Sequence, residues 1–173
     1  LDKPEAEPVR LTWDQGQNAT PSWSPDGKKI VFASRRNGQS DLYSVEVESG
    51  DETRLTNSNQ DEVDPRWSPA GDKILFQTTR TRYRQGQIGV LSLDTREASY
   101  FPEMGGSAHQ PSWSPDGNTI LYLDYRSARA PSSPALTLFS LAAREKEPVV
   151  LYRREFELTL WSFRQASWNA TGP

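Results

Sequence analysis

Trp23-Ser24-Pro25-Asp26-Gly27 is a phrase that returns as Trp67-Ser68-Pro69-Ala70-Gly71 and again as Trp113-Ser114-Pro115-Asp116-Gly117. The copies stand 44 and 46 residues apart. Self-similarity at a period of about 40–45 residues is the signature of four-stranded propeller blades. A blade cannot cover its own two faces, so it needs neighbours on both sides.

The same frame recurs around every copy. A proline stands two residues before each tryptophan (Pro21, Pro65, Pro111), and the tryptophan ends the first strand. Three residues after each glycine an apolar run begins: Ile30-Val31-Phe32, Ile74-Leu75-Phe76 and Ile120-Leu121-Tyr122. A further run follows, as Leu42-Tyr43-Ser44-Val45, Ile88-Gly89-Val90-Leu91 and Leu136-Thr137-Leu138-Phe139. The last is shorter: Arg54-Leu55-Thr56, Ser99-Tyr100-Phe101 and Val150-Leu151-Tyr152. Branched and aromatic residues bounded by Gly, Pro, Asn and Asp read as strands. No stretch sustains a helical period. Between the first two strands, Ser at i, Pro at i+1 and Gly at i+3 specify a type I turn closed by a left-handed glycine. Trp23, Trp67 and Trp113 are expected to pack between blades.

The expected architecture is all-β: about three complete four-stranded antiparallel blades, near 17–56, 62–102 and 108–152. A polar lead-in at 1–8, of the kind left after processing, precedes them. Val9-Arg10-Leu11-Thr12 matches Thr53-Arg54-Leu55-Thr56, so 9–12 reads as the last strand of an incomplete blade. Trp161 and Trp168 continue the frame without its turn, which makes 156–173 a partial blade at the other end. Three blades do not readily close a ring. Two open faces of about 500 Å² would each forgo roughly 12 kcal/mol of burial. Company is therefore expected at both ends, from a longer chain or from a second copy.

The chain has 173 residues, a net charge of −3, no cysteine and a single histidine. The charge disfavours nucleic acid as a partner. No apolar segment approaches the length that crosses a membrane. No Gly-x-Ser-x-Gly nucleophile elbow occurs, and His109 alone supplies no histidine-rich metal site. His109 reads as a loop residue near the central channel. The expectation is a non-enzymatic chain without cofactor or metal.

What remains is surface. Loops after the second strands carry Arg35, Arg36, Arg80, Arg82, Arg84, Arg126 and Arg129. Arg36, Arg80 and Arg126 each lie 13 residues after their tryptophan, so they read as structural groups paired with an acid such as Asp41 or Asp64. Arg35, Arg82, Arg84 and Arg129 lie outside that register. With Tyr83 they are the candidate binding residues, because the planar guanidinium recognises carboxylates and interfaces favour Arg and Tyr. A second set is expected along the channel: Asn18, Thr20, Glu62, Asp64, His109 and Gln110. Their oxygens suit ordered water better than a hard cation, which takes six to eight ligands.

Pro-Ser-Trp-Ser-Pro-Asp-Gly, then Lys-Lys-Ile-Val-Phe-Ala-Ser-Arg, Gly-Gln-Ser-Asp-Leu-Tyr and Arg-Leu-Thr, resembles the TolB-type propeller repeat. It is also similar to the blades of tricorn-like and prolyl-oligopeptidase-like peptidases. The resemblance runs well from Val9 to Tyr152 and weakly beyond. It implies a periplasmic or otherwise extracytoplasmic propeller that binds other proteins as a scaffold. The alternative it implies is the gating propeller of a larger peptidase whose catalytic domain lies elsewhere.

Overall fold

A computed structural model describes residues 7–13, 16–80, 85–101, 107–124, 135–140 and 149–152. They form twelve strands in three sheets. The first sheet holds β1 (Gln17–Trp23), β2 (Lys29–Arg35), β3 (Asp41–Glu46) and β4 (Glu52–Arg54). The second holds β5 (Asp61–Trp67), β6 (Lys73–Arg80), β7 (Gln85–Ser92) and β8 (Ala98–Tyr100). The third holds β9 (Ala108–Trp113), β10 (Thr119–Asp124), β11 (Ala135–Ser140) and β12 (Val149–Tyr152). Every sheet is an antiparallel meander in chain order. The first strands touch in sequence, β1 with β5 and β5 with β9, so the sheets fan outward from a shared inner edge. These are propeller blades.

The repeated phrase folds as its residues dictate. Gly27, Gly71 and Gly117 donate their amides to Ser24, Ser68 and Ser114 carbonyls at 3.0, 2.9 and 2.9 Å. Their φ values of +69°, +74° and +71° are the left-handed conformation that glycine adopts without strain. The serine hydroxyl completes the hairpin: Ser24 Oγ accepts from the Lys29 amide at 2.9 Å and donates to Asp26 Oδ1 at 2.7 Å. Ala70 leaves the second turn without that carboxylate. Asp72 takes its place, accepting from Ser68 Oγ at 2.8 Å.

Two cores fill the spaces between sheets. Val31, Ala33 and Leu42 of the first sheet meet Ile74, Phe76 and Leu91 of the second, with Trp67 and Leu55 against them. Leu75, Ile88, Val90 and Phe101 of the second meet Trp113, Ile120 and Tyr122 of the third. Trp67 and Trp113 each face the blade that precedes them. Trp113 is 8 % exposed and donates from Nε1 to the Arg66 carbonyl at 3.2 Å. Gly89 is required because the Phe76 ring lies on it; a Cβ there would meet Cζ at 2.3 Å.

Among the described residues no blade precedes Trp23, which is 59 % exposed. Cover was expected for this first face from a longer chain or a second copy, and part of its cover comes from the chain itself. Phe32, Tyr43 and Val45 on that face are buried. The Arg36 guanidinium lies over the Tyr43 ring at 4.1 Å and over Phe32 at 5.7 Å. Residues 7–13 form no strand. A last strand needs a third strand to pair with, and the described residues supply none for 9–12. The expected partial blade at 156–173 lies outside the described residues.

Candidate binding face and blade junctions

Within each first strand the register slips by a bulge, between Ala19 and Ser22, between Val63 and Arg66, and opposite Leu121 and Leu123. The slip falls on Thr20, Asp64 and Gln110, with φ of +51°, +51° and +52°, each directly before its proline. A branched residue such as Thr20 is strained there. Proline removes the next amide from the ladder, so the bulge leaves no donor orphaned at that step. These three expected channel positions thus share one backbone state. The Gln110 amide donates to Gln77 Oε1 at 3.3 Å. Asn18, a neighbour in the same set, accepts from Ser34 Oγ at 2.6 Å and donates to Thr12 Oγ1 at 3.0 Å.

Glu62 lies in the junction between the first two blades, 1 % exposed. Its amide donates to the Ser40 carbonyl at 2.8 Å, and Ser40 returns its own amide to Asp61 Oδ1 at 2.8 Å. Burial pushes the Glu62 carboxyl above its ordinary value. Hydroxyls of Thr56 and Ser58 oppose the rise, and the Asp41 carboxylate adds to it. Among the described residues its Oε2 is buried with no hydrogen-bond partner, which marks an acid held at some cost.

The next junction differs. The Gly86 amide donates to Ser107 Oγ at 2.7 Å, and Ser107 Oγ also bonds His109 Nε2 at 2.7 Å. His109 sits within β9 and is half-buried. Burial lowers its pKa, and Asp64 partly counters that. The Ser107 hydroxyl thus joins the Gly86 amide of the second blade to the His109 ring of the third. The pair works as a clasp between blades. Nothing in the sequence singled out Ser107. The one available sign was its place 46 residues after Asp61, the period of the repeat.

The arginines divide sharply where they are described. Arg36 pairs through Nη1 with Glu52 at 2.6 Å, donates from Nε to Ser34 Oγ at 2.9 Å, and stacks on Tyr43. The expected partner was Asp41 or Asp64; Asp41 is instead taken by Arg54 at 2.7 Å. Arg36 folds back across the aromatic rings and so reaches the outer strand β4. Arg35 is exposed, and its Nε donates to the Gly38 carbonyl at 2.9 Å. Arg82, Tyr83, Arg84, Arg126 and Arg129 lie outside the described residues, as does the Arg80 side chain.

At the other end of the first strands a groove of about 440 Å³ runs past Trp23, Arg66, Trp67, Trp113 and the turn prolines Pro25 and Pro69. Asp26 and Asp116 in those turns have carboxyls held below the usual range, chiefly by the hydroxyls of Ser24 and Ser114. Among the described residues no three His, Cys, Asp or Glu side chains gather as a metal site, and no helix is long and apolar enough to cross a membrane.

Fanned four-stranded meanders wedged by tryptophan define a β-propeller. The family model of the TolB beta propeller domain matches residues 1–165, and the chain belongs to that family. It is 31 % identical over 126 residues to an uncharacterized protein of Agrobacterium fabrum, covering 68 % of this chain and 43 % of that protein. The Tol-Pal system protein TolB of Hamiltonella defensa is 29 % identical over 113 residues, covering 62 % of this chain and 24 % of the relative. The chain thus spans less than half the length of either relative. A solved TolB-type structure from Agrobacterium tumefaciens superposes with a TM-score of 0.69 at 25 % identity, covering 83 % of this chain and 51 % of that one. Likeness of fold extends to the tricorn protease, at 16 % identity and a TM-score of 0.60, covering 71 % of this chain and 12 % of that one.

Proposed function

We propose that this chain is part of a non-catalytic TolB-type propeller that acts as a protein-binding scaffold in the bacterial cell envelope, on the periplasmic side. The observation that carries the reading is the contrast between two adjacent arginines. Arg36 is committed to the blade, whereas Arg35 is exposed and, among the described residues, bonded to a loop carbonyl alone. A guanidinium held at the surface by one backbone acceptor keeps most of its donors for a carboxylate on a partner. By their place in the repeat, Arg82, Tyr83, Arg84 and Arg129 are the further residues assigned to this face. Further blades of a longer chain, or another copy, cover Trp23. Membership of the TolB family supports this reading over the peptidase alternative, behind which stands likeness of fold alone.

The relative's name places it in a Tol-Pal system, so the Pal protein of the same organism is the first partner to test. Binding of the whole parent protein would be measured by biolayer interferometry. Charge reversal at Arg82 and Arg84 is expected to weaken binding at least about tenfold, the scale of one lost charge-assisted hydrogen bond, with the melting temperature nearly unchanged. Undiminished binding would remove the loop face from the account. Failure of the wild type to bind would remove Pal.

A further inference from the structure

Three places in the chain set an aspartyl or asparaginyl side chain directly before glycine: Asp26-Gly27, Asn37-Gly38 and Asp116-Gly117. Such pairs share a reaction. The glycine nitrogen, unhindered by a Cβ on its own residue, attacks the preceding side-chain Cγ and closes a five-membered succinimide. At asparagine the Cγ–Nδ2 bond breaks and ammonia leaves. Water then opens the ring at either carbonyl, giving aspartate or isoaspartate. Water is the sole co-reactant, and no electrons are exchanged.

The fold ties down two of the three pairs at both reacting ends. The Gly27 amide donates to the Ser24 carbonyl at 3.0 Å, and Asp26 Oδ1 accepts from Ser24 Oγ and the Lys28 amide. Gly117 donates to the Ser114 carbonyl at 2.9 Å, while Asp116 accepts from Ser114 Oγ, the Asn118 amide and Asn118 Nδ2. Both side chains are also held ionised, and a carboxylate is a poor electrophile.

Asn37-Gly38 sits in the 36–40 loop between β2 and β3, with both residues exposed. The Asn37 carboxamide makes one long contact, Nδ2 to the Tyr43 hydroxyl at 3.4 Å. Gly38 is anchored by its carbonyl, which accepts from Arg35, and its amide donates no hydrogen bond among the described residues. Its φ is +96°, and nothing lies within 4 Å of where a Cβ would stand.

We propose that Asn37 is a site of spontaneous modification, where the Gly38 amide converts its side chain into a carboxylate on the exposed loop. The product adds one negative charge between Arg36 and Gly38, within reach of the exposed Arg35. It would draw that guanidinium into a pair within the loop. The modification itself stands whether or not the loop face binds a partner.

The test is ageing of the folded protein in warm, mildly alkaline buffer, followed by peptide mapping. A mass gain of about one dalton, the exchange of amide NH2 for OH, is expected in the peptide containing Asn37, split between aspartyl and isoaspartyl forms. Isoaspartate labelling at positions 26 and 116 should lag far behind, and N37Q should abolish the product at 37. The denatured chain, aged in parallel, reports the unprotected rate. An Asn37 peptide that stays unmodified in the folded protein while the denatured chain converts would overturn the proposal. So would isoaspartate building up at 26 and 116 as fast as at 37.

Discussion

At the junction of the first and second blades the Ser40 amide donates to Asp61 Oδ1 at 2.8 Å; one blade later the Gly86 amide donates to Ser107 Oγ at 2.7 Å. The two acceptors occupy the same place in the repeat, at the entry to the first strand. Beside them the chemistry parts company. Glu62 in the first junction is matched by Ala108 in the second, and Val63 by His109. One junction holds a buried acid whose pKa is pushed up; the other holds a half-buried imidazole whose pKa is pushed down. The backbone clasp is therefore the part that the architecture demands. Its ionisable surroundings are free to differ, and they give the two junctions opposite responses to pH.

The largest test of this comparison is steric. Trp113→Ala should cost about 3–5 kcal/mol, since it empties a buried site. Trp23→Ala should cost about 1 kcal/mol or less, because most of that side chain is already in water. Equal falls in melting temperature would mean that wedging between blades is not what the tryptophans do. Next comes Ser107→Ala, which strips the buried Gly86 amide of its acceptor and should cost about 1–3 kcal/mol. Denaturant melts measure it, and a negligible loss would show the clasp to be ornamental.

The smallest effects are those of charge, and they carry opposite signs. Glu62 has a folded-state value above its ordinary 4.5, so the folded chain takes up this proton before the unfolded one does. Its contribution favours folding at low pH and turns against it as pH rises through the raised value. Glu62→Gln should accordingly stabilise the protein at neutral pH by about 1 kcal/mol, because it removes a carboxylate charge that burial disfavours. That gain should vanish as pH falls below 4.5. His109 has a folded-state value below its ordinary 6.5, so its contribution is present above 6.5 and fades as pH falls through the lowered value. His109→Gln should flatten that acid limb alone. Stability curves in which both variants bend the same way would erase the distinction between the junctions.

Repetition made the frame of this molecule readable. The turn needs Ser, Pro and Gly at fixed offsets, and three copies of the same local solution leave little else for the chain to do. Compensation across the turn was harder to see. Ala70 reads as a loss, yet Asp72 restores the bond two residues later, because the serine hydroxyl can reach either carboxylate. Partners that depend on curvature were out of reach. The register of Arg36 marked it as structural, but its path over Phe32 and Tyr43 to Glu52 follows from how the sheet bends, which no spacing encodes. Glu62 looked like any acid beside a channel. Its position level with Thr78, on the face turned toward the preceding blade, is what buries it.

Since Trp67 and Trp113 each point back toward the blade before them, the array has a front and a rear that are not alike. Copies meeting through these surfaces would join head to tail, rear to front, and each such contact would leave one of either kind unused. Association of that sort ends only when it bends round into a ring. Closed by two copies, such a ring would carry a two-fold axis along its centre.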